Sequence, residues 1–388
     1  MPVLNRFAEM LPEISAWRRD IHAHPELRFE EHRTAAFVAS KLEEFGCEEI
    51  ITGFGGTGVV GVINGKTGST DKTIGFRADM DALPIREATG LPHASTIPGK
   101  MHACGHDGHT SMLLGAAKYL AETRNFDGRV VLAFQPAEEG GGGARAMIEA
   151  GLMDRWAIEE VYGMHNMPGI APGDFAVRAG PQMASPDKFE ITVRGTGGHG
   201  AMPHKGVDTT LVAAQIVVAL QSIVSRNIDP MDKVVISVCG FRTETATYNV
   251  IPDSAKLLGT VRTFDPKVQQ EVRARIDALA SATAIGYGAV AEVVHISGPP
   301  ALINHAQEAD LAAEVAQTVS GVAHRDLDPI MAGEDFSEML LERPGAYLFL
   351  GNGDSADLHN PSYEFNDEII PAGCSWFVEM AERRLPLA

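Results

Sequence analysis

Hydrophobic and polar positions alternate with two different periods along the first half of the chain. Apolar residues recur at helical spacing over Leu4–His22, Glu31–Phe45 and Gly108–Thr123. Apolar runs of strand length separate these segments: TGVVGVI (57–63), TIGFRADM (73–80), GRVVLAFQ (128–135) and EEVYGMHN (159–166). Helices that alternate with short, continuously apolar strands predict an α/β domain built around a central sheet.

The pattern changes after residue 186. Residues 188–296 follow the order strand, helix, strand, strand, helix, strand, with the helices expected at 209–227 and 266–288. This β-α-β-β-α-β order is ferredoxin-like. Helical and strand patterns resume beyond residue 298. The sequence therefore predicts two domains, a mixed-sheet α/β domain at 1–185 and 298–388 and an inserted ferredoxin-like α+β domain at 186–297.

Composition limits the possible partners. The chain has 388 residues, and 32 basic against 51 acidic side chains give a formal charge of 32 − 51 = −19, with no basic run. This balance argues against nucleic acid or an anionic membrane as partner. An anionic substrate would need a local positive centre, such as a metal cluster or a buried arginine. No signal peptide or membrane span is expected, and four scattered cysteines suit a reducing cytoplasm.

Polar clusters follow the predicted strands, where ligands of α/β sheets collect. They are RADMD (77–81), HACGHD (102–107), QPAEEGG (135–141), MHNMPG (164–169) and DLHNPSYEFND (357–367). Each cluster alone has a structural explanation, such as a loop histidine bonded to backbone or an acidic pair that caps a helix. Together, one thiol, three imidazoles and a carboxylate form a plausible ligand set for two borderline divalent cations.

The acidic pair Glu138–Glu139 adds acid–base chemistry to this set. Adjacent residues of an extended segment face opposite ways. One of the two carboxylates could thus bind metal while the other takes a proton from metal-activated water and passes it to a leaving nitrogen. Asp79 is expected to orient a metal ligand.

Cys104 permits a rival interpretation. It lies two residues from His106 in a segment expected to be extended, just ahead of a helix N-terminus, where the dipole favours a thiolate. It could therefore be a nucleophile with His106 or His102 as base. A cysteine hydrolase, however, needs neither a carboxylate pair nor distant histidines. The GFGGTG motif at 53–58 precedes a strand, so a dinucleotide site is not expected there.

The motifs RADMDALP, MHACGHDGHT, FQPAEEGGGGA, GTGGHGAMPH, NVIPD, MAGEDFS and LHNPSYEFND occur in an order that resembles the amidohydrolase branch of the M20 metallopeptidases. The resemblance spans essentially the whole chain. It implies two divalent metal ions, Zn²⁺ or Mn²⁺ with Ni²⁺ or Co²⁺ as alternatives, and Glu138 as general base and acid. The implied ligands are Cys104 (bridging), His106, Glu139, His165 and His359. The wider superfamily has His-x-Asp where this chain has Arg77-Ala-Asp79, and His106 is expected to replace that missing ligand.

The resemblance also implies a lid and dimerisation role for the inserted domain. His199 would reach the oxyanion from the partner subunit, although taken alone it would be interpreted as a surface histidine. Asn249 would lie near the substrate carbonyl. Arg262 and the backbone of Gly333 would hold the substrate carboxylate.

These features predict a cytoplasmic, metal-dependent amidohydrolase that cleaves N-acyl or N-aroyl amino acids, such as hippurate-like or N-acetyl substrates. A homodimer, or a dimer of dimers, is expected through the lid. Two alternatives stay open at this point. One is an aminopeptidase or dipeptidase of the same superfamily, and the other is a binding protein on the same scaffold without catalysis.

Overall fold

The computed structural model describes residues 2–67 and 69–387. Ten α-helices lie in this described part: α1 (Pro2–Ala23), α2 (His32–Phe45), α3 (His106–Thr123), α4 (Gly143–Glu149), α5 (Leu152–Arg155), α6 (Thr209–Ser222), α7 (Pro266–Gly286), α8 (Ala306–Ser320), α9 (Phe336–Glu342) and α10 (Ile370–Arg384). The strands are β1 (Glu49–Phe54), β2 (Gly58–Asn64), β3 (Thr73–Asp79), β4 (Arg129–Gln135), β5 (Glu160–Pro168), β6 (Phe175–Ala176), β7 (Gly180–Met183), β8 (Ser185–Arg194), β9 (Gly198–His199), β10 (Val235–Thr243), β11 (Val250–Ile251), β12 (Ser254–Thr263), β13 (Val290–Ile296), β14 (Leu302–Asn304), β15 (Ala323–His324) and β16 (Gly345–Gly353).

These elements form two compact units. Unit 1 comprises Met1–Gln182, Ile303–Asp328 and Asp335–Ala388, and unit 2 comprises Met183–Leu302 and Pro329–Glu334. The short return of 329–334 to unit 2 has no counterpart in the sequence analysis, because six residues without a periodic pattern carry no domain signal.

Unit 1 is built on an eight-stranded mixed sheet in the order β1-β2-β4-β3-β5-β16-β6-β15. Its centre is parallel, since β3 pairs in parallel with β4 and β5, and β16 with β5. The β1–β2 and β2–β4 pairs are antiparallel. Every residue of β3 is buried, as expected for a central strand that is covered on both faces. The predicted mixed α/β sheet is therefore confirmed.

Helices α1, α3 and α10 pack on one another beside this sheet. Helix α3 begins at His106, two residues earlier than predicted, because Gly105 adopts a left-handed conformation (φ 92°) and turns the chain directly into the helix. Its residues are buried continuously from His106 to Ala117. A helix that is buried all round shows little periodicity at its start, which explains the late predicted boundary.

Unit 2 contains an antiparallel sheet in the order β10-β12-β8-β13, which is the ferredoxin-like topology predicted. Alternate residues of β8 are buried, and this face packs with α6 and α7. Both helices have aspartate N-caps: Asp208 accepts from two backbone N–H groups of α6, and Asp265 accepts from Lys267 N of α7 at 2.6 Å.

One helical segment of the described residues, Thr209–Asn227, is long and apolar enough to cross a membrane by length and composition alone. The sequence analysis expected no such segment. Its buried side chains, which include Val212, Ile216 and Leu220, belong to the hydrophobic core of unit 2. This is the arrangement of a core helix in a globular unit, so the segment is weak support for a membrane span.

Candidate metal centre

The candidate residues of unit 1 gather at one edge of its sheet. β3 ends at Asp79, β4 ends at Gln135, and His165 lies near the end of β5. His359 follows β16, and its N–H donates to the carbonyl of Ala103 at 2.7 Å. Because β3, β4, β5 and β16 run parallel, their carboxyl ends meet at the same edge, where α/β proteins bind ligands.

Three buried donors form the first cluster: Cys104, His106 and His165, with their ligand atoms within 4.8 Å of one another. Cys104 Sγ lies 3.3 Å from His165 Nε2. His165 Nδ1 is 2.6 Å from the carbonyl of Asn166, so Nδ1–H donates there and leaves Nε2 for a metal. His106 Nε2 is buried without a hydrogen-bond partner. A cation in this cluster would satisfy that nitrogen.

A second cluster shares the thiol and comprises Cys104, Glu139 and His359. Glu139 Oε1 is buried and accepts no hydrogen bond, although His359 Nε2 is only 3.0 Å away. A carboxylate oxygen and an imidazole nitrogen this close together, without hydrogen-bond geometry, are typical of ligands directed at a common cation. Two overlapping clusters of sulfur, nitrogen and carboxylate donors fit a pair of borderline divalent cations with a bridging thiolate.

Glu138 lies beside these donors, and its carboxylate forms a third close set with His106 and Glu139. Its Oε1 accepts from the N–H of Asp335 at 3.4 Å. The expected extended geometry of the acidic pair is wrong. Ala137 has a left-handed φ of 53°, and the pair lies in a turn, so both carboxylates point towards His106 instead of to opposite sides.

The helix dipole was expected to favour a thiolate at Cys104. This expectation is also wrong when only the protein's own groups act on the thiol. Burial raises the pKa of Cys104 well above its usual range, and the nearby carboxylates of Glu139, Glu138 and Asp79 raise it further. The segment is not extended as expected, since Gly105 is left-handed, but Cys104 and His106 do direct their ligand atoms into one cluster. A bound cation would supply the positive charge that a thiolate needs here.

The same electrostatics weigh against a cysteine nucleophile. Of the two bases named for it, His102 has its pKa lowered to about 3 by burial, and His106 Nε2 makes no hydrogen bond to the thiol. The imidazole that lies 3.3 Å from the thiol is that of His165, whose pKa is well below its usual range because of burial and the neighbouring His109. A thiol with a raised pKa beside a weakly basic imidazole is a poor ion pair for nucleophilic attack.

Asp79 is buried and ionised, but it does not hydrogen-bond a candidate ligand. Burial would raise its pKa, whereas His106 and Arg77 hold it well below the usual range. Its Oδ1 accepts from His109 Nδ1 at 2.6 Å, and His109 Nε2 lies 2.7 Å from Asn166 Oδ1. At 3.7 Å, Asp79 Oδ2 is too far from His106 Nε2 for a hydrogen bond.

Sequence reasoning gave no role to Asp81, although this residue contacts the candidate centre directly. Its Oδ1 lies 3.2 Å from His106 Nδ1. The spacing in RADMD contained a signal, since residues two apart on an extended chain share a face. That signal applies equally to Arg77, Asp79 and Asp81, so only the fold distinguishes them.

The four remaining candidates lie in unit 2. His199 and Asn249 are exposed neighbours on the β9–β11 ribbon, where Gly200 N donates to Asn249 O at 2.7 Å. Arg262 Nε donates to the carbonyl of Met331 at 3.1 Å, two residues before Gly333. The structure therefore brings these residues together as two pairs, one on the ribbon and one beside the 329–334 segment.

The protein combines a mixed α/β sheet, an inserted ferredoxin-like unit and, at the strand ends, metal-donor clusters that share Cys104. These features together are typical of a class of metallohydrolases. The sequence profile of peptidase family M20/M25/M40 matches residues 75–383. The chain is 42% identical over 387 residues to a hippurate hydrolase of Campylobacter jejuni, covering 99% of this chain and all of the relative. It is 42% identical to an N-acetyl-L-cysteine deacetylase of Bacillus subtilis, covering 95% and 87% of the two chains.

A solved structure of a dinuclear metal binding peptidase of the M20 family, the YXEP protein of Bacillus subtilis, superposes with a TM-score of 0.86. The two chains are 34% identical, and the match covers 98% of this chain and 99% of the other. The chain belongs to peptidase family M20/M25/M40, in its amidohydrolase branch, and is a metal-dependent amide hydrolase.

Proposed function

We propose that this protein hydrolyses the amide bond of N-acyl or N-aroyl amino acids to a carboxylic acid and a free amino acid. The observation that carries the proposal is the pair of donor clusters that share Cys104, with the Glu138 carboxylate beside them. The relatives named above act on a benzoyl and on an acetyl amide at equal identity, so both acyl classes are proposed as substrates.

The ligands of two divalent ions would be Cys104, His106, Glu139, His165 and His359, with Zn²⁺ or Mn²⁺ proposed first and Ni²⁺ or Co²⁺ as alternatives. When bound, such ions polarise a carbonyl oxygen and lower the pKa of water. Glu138 would take the proton from the attacking water on its carboxylate and deliver it to the leaving nitrogen. Its contact with the Asp335 N–H would keep the carboxylate aimed at that position.

Four residues of unit 2 are proposed to bind the substrate. Arg262 would bind the free carboxylate of the amino acid, as a local positive charge in a chain of net charge −19. Asn249 and the backbone of Gly333 would contact the substrate. His199 would stabilise the oxyanion from the lid of a second copy.

Glu138→Gln tests the proton transfer directly. The amide keeps the shape of the carboxylate but accepts no proton, so we expect kcat to fall roughly 10²- to 10⁴-fold while the bound metal per chain is unchanged. Release of free amino acid from N-benzoylglycine and N-acetylcysteine is the assay, and metal content is measured on the same samples. The matched control is Glu314→Gln at an exposed position of α8, which should keep native rates. Near-native turnover by Glu138→Gln would refute the assignment.

The choice of substrate class has its own test. Wild-type protein should cleave N-benzoylglycine much faster than a dipeptide with a free amino group. The reverse preference would favour the aminopeptidase alternative. Tight binding of an N-acyl amino acid by metal-free protein, with no turnover after metal is added, would favour the binding-protein alternative.

We also propose a cytoplasmic homodimer, or a dimer of dimers, through unit 2. Helix α6 leaves Leu211 and Val218 exposed seven residues apart on one face, an apolar patch suited to a second copy. The four cysteines are all free, as expected for a reducing compartment. Light scattering of wild type and of Val218→Glu measures the oligomeric state. A monomeric wild type would contradict the proposed homodimer.

A further inference from the structure

The turn that carries the acidic pair contains one residue in an unfavourable backbone conformation. Ala137 is left-handed, with a φ of 53°, and an alanine disfavours this conformation by roughly fivefold or more. Its carbonyl is the centre of the turn, because it accepts from Gly141 N at 3.1 Å and from Gly143 N at 3.2 Å. The two N–H groups that follow Ala137 in the chain donate to Asp81, whereas its own N–H has a different acceptor.

That acceptor is a glutamate from a distant part of the chain. Glu31 directly precedes α2, and its Oε1 accepts from Ala137 N at 2.9 Å. Its other oxygen, Oε2, accepts from the hydroxyl of Thr57. Glu31 is therefore the side chain that holds the strained residue of the acidic turn, and Thr57 holds Glu31.

The bond to Thr57 involves the GFGGTG segment (53–58), where the sequence predicted no dinucleotide site. The segment connects β1 to β2 and also packs against α4, the helix that follows the acidic turn. Gly55 has a φ of 64°, and a Cβ at this position would lie 2.6 Å from Met147 N of α4. The segment thus supports the acidic turn at its start, through Glu31, and at its end, through α4.

The position of Glu31 is unfavourable for a carboxylate. Its side chain is fully buried, and burial raises its pKa. Among the residues that the structure describes, no lysine, arginine or histidine forms an ion pair with it. A buried carboxylate without a cation lowers stability, so its presence needs a gain elsewhere. The contacts of Glu31 place that gain in the acidic turn.

We propose that Glu31 is a positioning residue that enforces the left-handed Ala137 and thereby directs the Glu138 base and the Glu139 ligand towards the metal centre. The inference rests on the proposed function of Glu138 and Glu139. In this role Glu31 acts only through the backbone of the turn and makes no contact with metal or substrate.

Glu31→Met is the principal test. Methionine fills a similar volume but is only a weak acceptor, so Ala137 loses the bond that enforces its conformation. We expect kcat for N-benzoylglycine to fall about 10- to 100-fold while KM changes less than about threefold. The visible spectrum of the Co²⁺-loaded protein should change, because Glu139 would be displaced. In the metal-free protein, amide hydrogen exchange of the peptide 136–143 should become faster.

The matched control is Glu26→Met. The Glu26 carboxylate also binds the start of α2, where it accepts from Arg33 N at 2.9 Å and from Thr34 N at 2.8 Å. It should lower thermal stability but keep the native kcat, Co²⁺ spectrum and exchange of 136–143. An equal loss of kcat in the two variants would overturn the proposal, because any disturbance of α2 would then suffice. Native kcat and a native spectrum in Glu31→Met would overturn it as well.

A rescue experiment gives a readout that a general loss of stability would not move. Glycine adopts the left-handed conformation freely, so Glu31→Met combined with Ala137→Gly should recover about fivefold or more of the lost kcat. No recovery would overturn the proposal. Glu31→Gln should stay near native, since its amide oxygen accepts from Ala137 N and its NH₂ donates to Thr57. A loss as large as that in Glu31→Met would overturn the hydrogen-bonding role.

Thr57→Val covers failure of Glu31→Met to fold, which thermal unfolding would reveal. Valine keeps the shape of threonine but removes the hydroxyl that holds Glu31 Oε2. We expect kcat to fall about threefold or more with faster exchange of 136–143, and native values of both would overturn the proposal. A wild type that binds two metals but cleaves no N-acyl amino acid would refute the proposed function alone, since spectrum and exchange still test Glu31.

Discussion

Arg77 is a buried cation, and the structure allows us to predict how much its removal lowers the free energy of unfolding. It is 2% exposed, and its guanidinium donates to Gln135 Oε1 at 2.8 Å, Asp79 Oδ2 at 2.7 Å, Tyr347 OH at 3.2 Å and Asp335 Oδ1 at 3.1 Å. Arg77→Met keeps much of the volume and removes the charge. Two buried carboxylates would then lose their common partner.

The magnitude follows from that geometry. Removing one partner of a buried ion pair costs about 3–5 kcal/mol, because the remaining charge is left uncompensated. The Gln135 carbonyl also loses a donor, which adds about 1 kcal/mol. We therefore expect the free energy of unfolding of unit 1 to fall by about 4–6 kcal/mol, a large part of a typical total of about 5–15 kcal/mol.

Tryptophan fluorescence during urea unfolding is a suitable assay. All three tryptophans, Trp17, Trp156 and Trp376, lie in unit 1, so the signal reports this unit even if unit 2 unfolds separately. Metal is removed first, so that differences in metal binding do not enter the unfolding free energy.

A double variant separates charge from packing. Arg77→Met combined with Asp335→Asn should recover part of the loss, because one orphaned carboxylate is neutralised. A loss below about 1 kcal/mol in Arg77→Met, or a double variant less stable than the two single effects added together, would contradict the reasoning.

Two further predictions concern residues outside the donor clusters. Burial would lower the pKa of His22, but Asp107 at 2.8 Å raises it to about 9. The protonated imidazole therefore contributes about 3 kcal/mol to the free energy of unfolding. This contribution is complete below pH ~6.5, the pKa of an unperturbed histidine, and is lost as the pH rises through about 9. His22→Gln should therefore flatten the fall in thermal stability between pH 7 and 9, and an unchanged slope would contradict this. Gly108→Ala should lower stability by about 1–3 kcal/mol or more, because its Cβ would lie 2.1 Å from the ring of Phe365. Gly286→Ala, with open space around its Cβ, is the control and should cost nothing measurable in the same thermal scan.

Much of the fold could be predicted because its signals are local. The continuously apolar runs of β3 and β4 predict buried parallel strands, and the alternation along β8 predicts a half-buried antiparallel strand. Boundaries set by a single backbone conformation were predicted less well. Helix α3 starts two residues early because Gly105 is left-handed, and no periodicity in the sequence encodes that angle.

For the candidate site, the sequence by itself determined which side chains are available and at which strand ends they lie. Parallel strands bring their carboxyl ends together, so the gathering of His165 and the acidic pair follows from topology alone. Only the tertiary structure decided how these groups face one another. The left-handed Ala137 turns both carboxylates towards His106, and burial raises the pKa of Cys104 against the helix dipole. Both outcomes depend on groups distant in sequence, since hydrogen-bond direction and desolvation are properties of the packed chain.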